Sequence, residues 1–96
     1  MKILAIAKAS PQTTLENMQP HLEAEVKHAW TLYKNGTVRE MYDRQDRRGV
    51  VFVLECGSLD EARKDLDRLP LVREKLIDFE MVILEPFFYF EMMFKN

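Results

Sequence analysis

The run Gly49-Val-Val-Phe-Val-Leu-Glu-Cys56 is apolar on both sides of a strand, in a chain of only 96 residues. Side chains alternate across a strand, so Val51 and Val53 face one way and Val50, Phe52, Leu54 and Cys56 the other. A sheet built around this segment needs cover on both faces, and one layer of helices covers one of them. A second subunit is the expected cover for the other. A domain this small buries a modest share of its surface when alone, which also favours pairing.

A composition of 47% apolar and 31% charged residues is that of a folded domain. Residues 1–96 read as one domain, with 87–96 as an aromatic C-terminal extension. The net charge is −2, and 14 basic residues are scattered among 16 acidic ones with no sustained basic run. Nucleic acid and anionic membrane are therefore not expected as partners. The one basic concentration, Arg44 to Arg48, reads as a solvated turn rather than a phosphate site. The lone Cys56 cannot form an internal disulfide, and no signal-peptide pattern or bilayer-spanning apolar run is present, so the cytoplasm is the expected compartment. At the end of an apolar strand, Cys56 reads as a small hydrophobe rather than a nucleophile.

Lys2 to Lys8 is a short apolar run of strand length, broken at Ser10-Pro11. Thr14 to Met18 reads as a turn or loose helical lead-in, with Pro20 in the first turn of the helix that follows. Apolar positions 22, 26, 29, 30 and 33 have the spacing of one helical face, and Asn35-Gly36 supplies a left-handed stop. Thr37 to Arg44 is a second strand, with Val38 and Tyr42 on one face and Arg39 and Met41 on the other. The polar turn Gln45 to Arg48 joins it to the third strand as an antiparallel hairpin. Ser58 and Glu61 form a capping pair, followed by a stripe of Leu59, Ala62, Leu66 and Leu69. Pro70 ends that helix, Leu71 to Leu76 is an irregular turn, and Asp78 to Pro86 is a fourth strand, again two-sided.

The order βαββαβ is the ferredoxin-like plan, an α+β fold with a four-stranded antiparallel sheet and helices on one face. The uncovered face is expected to pack on a second sheet, giving a dimeric α+β barrel as a homodimer or higher homo-oligomer. The segment Phe87 to Phe94 is too aromatic for a free tail, and either extends that contact or folds over its own subunit.

The segment from Glu25 to Pro86 is similar to the muconolactone isomerase family and the related small YCII-like proteins. The similarity is carried by Glu25, Leu32 and Gly36, a charged hairpin, Glu55, Ser58-Leu-Asp-Glu61, Leu69-Pro70-Leu71 and Leu84-Glu-Pro86. It implies a dimeric or higher α+β barrel with a pocket between sheet, helices and partner. It also implies a proton shift in an unsaturated lactone without metal or organic cofactor.

His21, Glu25 and His28 project from one helix edge bordering the apolar face. Two imidazoles and a carboxylate can hold a divalent metal, but no fourth ligand is evident and no metal site is assigned. Glu25 or His28 facing a pocket would instead serve as a proton-transfer group. Arg39 is either bridged to a carboxylate such as Glu55 or Glu80, or receives an anionic ligand. Tyr33 and Tyr42 are candidate donors to an enolate oxygen, or plain core aromatics. Trp30, at the other edge of the stripe, reads as packing or as a wall for substrate. No glycine-rich phosphate loop, paired-cysteine motif or nucleophile elbow occurs.

These features lead to a barrel enzyme that binds a small apolar or anionic organic molecule and isomerises it without a cofactor. Glu25, His28 and Tyr42 are its catalytic candidates, and Arg39, Tyr33 and Trp30 its substrate-binding ones. The rival is a non-catalytic dimerisation or ligand-sensing module. Convergence of at least two of Glu25, His28, Arg39 and Tyr42 on one cavity separates the two.

Overall fold

The computed structural model describes residues 1–94. β1 (Lys2–Ala9) leads to a short α1 (Leu15–Met18), a single 3₁₀ turn (Gln19–His21) and α2 (Leu22–Lys34). The hairpin β2 (Val38–Asp43) and β3 (Val50–Glu55) follows, then α3 (Leu59–Asp67), α4 (Pro70–Arg73) and β4 (Ile77–Leu84). All pairings are antiparallel and the strand order is β2-β3-β1-β4. Among the described residues no helix is long and apolar enough to cross a membrane.

The boundaries follow from local chemistry. The side chain of Thr14 accepts from the Asn17 amide at 3.1 Å and that of Asn17 from the Thr14 amide at 2.8 Å, so the expected loose lead-in is a capped turn. Pro20 falls in the first turn of the 3₁₀ segment, where its missing N–H costs nothing. Gly36 stops α2 at φ 88°. The Ser58 hydroxyl accepts the Glu61 amide at 3.1 Å, a cap worth about 1 kcal/mol. Glu61 reaches back one residue further than a capping box requires, to the Gly57 amide at 3.0 Å. Pro70 opens α4 rather than ending α3, because a first-turn proline is preset for helix.

The two-sided strands sort as alternation requires. Ile3, Ala5, Phe52, Leu54, Ile77 and Phe79 are buried beneath the helices with Ala62, Leu66 and Leu69. Arg63 ties α3 to β4 by donating to Asp78 Oδ1 and to the Phe79 carbonyl, both at 3.1 Å. Leu4, Ile6, Val51, Val53, Val82 and Leu84 lie on the other face, which no element among the described residues covers.

The barrel expected from these strands does not form. The four strands make an open sheet in which β2 and β4 are opposite edges and do not pair. Closure needs strands enough, with tilt and stagger, to bring the edges together, and four are too few. The α+β topology and the antiparallel sheet stand.

Two smaller differences have local causes. A bulge between Val38 and Glu40 shifts the register, so Val38 pairs with Leu54 on the helix side while Tyr42 pairs with Val51 on the open side. In α2 the buried positions are Ala29 and Leu32, whereas Val26 and Trp30 are 66% and 59% exposed. The extension forms a 3₁₀ segment over Phe88–Phe94 whose rings pack on one another, Phe87 against Phe90 at 4.8 Å between centroids. Its aromatic and methionine side chains are 57–80% exposed, so it does not fold over its own body. The last two positions of that extension, 95 and 96, lie outside the described residues.

Candidate ligand cavity

The exposed flank of α2 is the wall of a cavity of about 640 Å³. The sheet contributes Ala7 and Phe52, α2 contributes Val26 and Trp30, α1 contributes Met18 and α4 contributes Leu71. The volume is that of a site for a small organic molecule. Ala9 and Gly49 line it at the end of the sheet where β1 finishes and β3 begins. The C-terminal extension leaves from the opposite end, where Leu84 pairs with Lys2.

Glu25 is the carboxyl that α2 turns toward this space. Its Oε1 accepts the amide of Leu71 at 2.9 Å, a contact that spans 46 residues of sequence and joins α2 to α4. Desolvation pushes its pKa above the usual 4.5, against the opposing pull of the Leu71 amide and the His21 charge. A half-buried carboxyl with a raised pKa beside an apolar cavity has the environment of a proton-transfer group.

The other candidates divide. Tyr42 and Trp30 line the cavity with Glu25, and they also border a shallower groove of about 480 Å³ that holds Tyr33 and Arg39. The Tyr42 hydroxyl donates to Glu40 Oε1 at 2.7 Å, and that bond raises its pKa. Trp30 and Tyr33 stack at 5.9 Å between centroids. Arg39 is bridged neither to Glu55 nor to Glu80. Its Nε donates to the Gly36 carbonyl at 2.6 Å, while Glu55 accepts from the Met1 ammonium at 2.6 Å and Glu80 lies 3.4 Å from Lys8 Nζ. The guanidinium is exposed at the sheet edge, which avoids the burial cost that called for a partner.

His28 lines neither depression, and its Nε2 is buried without a hydrogen-bond partner among the described residues. Among the described residues no group of three or more metal-ligating side chains gathers. Cys56 has its thiol pKa raised by desolvation and by nearby carboxylates, opposite to what a reactive cysteine needs.

Three participants escaped the sequence. The Leu71 amide is a backbone group brought in by a long-range packing step, and no motif marks it. Asp43 and Arg48 line the cavity, and Arg48 lay inside a cluster that reads as a solvated turn. Its only sequence signal was the adjacent Gly49, which holds φ at +148° and packs its backbone against the Ala7 carbonyl.

The chain matches no family model, and no curated protein matches its sequence. Its fold does match solved structures. One is the 5-chloro-2-hydroxyhydroquinone dehydrochlorinase of Burkholderia phenoliruptrix in complex with 2,5-dihydroxybenzoquinone, at TM-score 0.72 and 16% identity over 88% of this chain and 94% of that one. Another is a muconolactone isomerase, at TM-score 0.70 and 19% identity over 91% of this chain and 93% of that one. The chain thus shares the fold of two enzymes over nearly their whole length. At this identity the likeness is one of fold.

Proposed function

We propose that this chain binds a small, mostly apolar organic molecule in the cavity beside α2 and moves a proton on it through Glu25. The observation that carries the reading is the Glu25 carboxyl, desolvated and held by the Leu71 amide at the wall of a 640 Å³ apolar space. Substrates that suit it are unsaturated lactones, acids or ketones. Glu25 takes the acidic proton at the far end of the conjugated system, the C–H electron pair delocalises through the double bond into an enolate, and the same carboxyl returns the proton to the carbon next to the carbonyl. A raised pKa makes the carboxylate a stronger base for the first step. Tyr42 borders the cavity at the strand edge, with its hydroxyl held by Glu40 on the open side of the sheet. Trp30 forms the apolar wall, and the groove with Tyr33 and Arg39 takes the end of a longer ligand.

The names of the two matched enzymes supply probes. Muconolactone incubated with the protein in heavy water should gain deuterium next to its carbonyl, followed by NMR. Glu25→Gln should slow this about 100-fold or more while preserving the circular dichroism spectrum. Absence of exchange with the native protein, or undiminished exchange with the variant, would refute the proposal.

The partner we propose is a second copy laid over the open sheet face. The row Val53, Leu4 and Val82 runs across three strands there without cover from the described residues.

A further inference from the structure

The loop between β2 and β3 holds three arginines and treats them unequally. Arg44 donates to Asp46 through Nε at 3.0 Å and Nη2 at 2.7 Å. Arg47 Nε lies 3.5 Å from the same carboxylate. The Arg44 hydrogen bonds hold the Asp46 carboxyl below its usual range, so it stays ionised. Arg48 forms no ion pair among the described residues, yet it alone of the three lines the cavity. Asp43, the other charged group at that end, is exposed and does not bridge to it.

The position of Arg48 is imposed by its neighbour. Gly49 lies at φ +148°, a conformation that L side chains rarely adopt, and a Cβ there would meet the Ala7 carbonyl oxygen at 3.2 Å. The Arg44 amide donates to the Gly49 carbonyl at 2.9 Å, closing the loop. The backbone carrying Arg48 is therefore held against β1 at the end of the sheet that lines the cavity.

We infer that Arg48 is the anion anchor of this cavity, taking the carboxylate group of a small ring acid whose apolar body lies along Trp30 and Val26. This rests on the reading of the cavity as a ligand site. A guanidinium offers two parallel donors matched to a carboxylate, and its charge-assisted bonds are the strong ones. The walls between Arg48 and Glu25 are apolar, so a ligand anchored at Arg48 presents its uncharged part to the α2 wall. The assignment names the substrate class as monoanionic, with the reacting C–H on the side away from the anion.

The test uses two probes alike in shape and different in charge, phenylacetate and phenylacetamide. Trp30 is the single tryptophan of the chain and lines the cavity, so its fluorescence reports occupancy, with calorimetry as a second readout. The native protein should bind the acid more tightly than the amide. Arg48→Gln should weaken the acid about 10- to 100-fold and leave the amide unchanged. Arg47→Gln should keep the preference. Equal binding of both probes by the native protein, a preference that survives Arg48→Gln, or its loss in Arg39→Gln instead, overturns the anchor and leaves the cavity reading standing. Binding of neither probe overturns both.

Discussion

Removing the Glu25 carboxyl in two ways separates its structural role from its charge. Leu71 is buried, and its amide donates to Glu25 Oε1 at 2.9 Å. Glu25→Ala takes away that acceptor, and a buried donor left unpaired costs about 1–3 kcal/mol. For a domain of this length each kcal/mol corresponds to roughly 4–8 °C in Tm. Glu25→Gln keeps an oxygen at the same place and removes the ionisable group. Desolvation raises the Glu25 pKa in the folded state, so its stabilising contribution is full below the unfolded value near 4.5 and is lost as pH rises through the folded value. The native protein should therefore lose stability relative to Glu25→Gln as pH climbs from 4 to 8. At pH 7 the glutamine variant should be at least as stable as the native protein, and the alanine variant clearly less so. Urea denaturation followed by circular dichroism across that range measures all three. Alanine and glutamine variants of equal stability would show that the Leu71 contact contributes nothing. A native-minus-glutamine difference that grows in the opposite direction would show that the carboxylate is stabilised, not desolvated.

Two further perturbations address the loop and the open face. Gly49→Ala should cost about 1–3 kcal/mol in chemical denaturation, because φ +148° and a Cβ 3.2 Å from the Ala7 carbonyl both oppose a side chain; a loss within 0.5 kcal/mol would contradict the geometry. Val82→Lys, at an exposed position of the open sheet face, should leave the monomer fold intact and shift sedimentation from dimer to monomer. A native protein that already sediments as a monomer would remove the proposed partner.

Much of the fold was legible because its signals are local. The break after β1, the placement of Pro20, the stop at Gly36 and the cap at Ser58 depend on residues a few positions apart, and each behaves as its chemistry requires. Patterning put Glu25 and Trp30 on one helix and Tyr42 on the hairpin, but that all three border one space could be read only from the folded chain. The bulge at Arg39 had no such signal, and it reversed the relation between Val38 and Tyr42, since a single extra residue exchanges the faces of a strand.

Periodicity reports which side chains share a face and says nothing about whether that face meets protein, ligand or solvent. The apolar spacing of α2 was real, yet Val26 and Trp30 border a cavity instead of filling a core. The two-sided strand at Gly49 to Cys56 likewise demanded cover on both faces. Only the strand order, with β2 and β4 left as separate edges, decided that the sheet is open and not a closed barrel. The sequence alone determined the four strands, the two longer helices, their order and the antiparallel α+β sheet, because hydrophobic alternation and caps act over short distances. The tertiary structure decided what faces the cavity, since the Leu71 amide reaches Glu25 across 46 residues and Gly49 brings Arg48 to its wall through contacts made only in the folded chain.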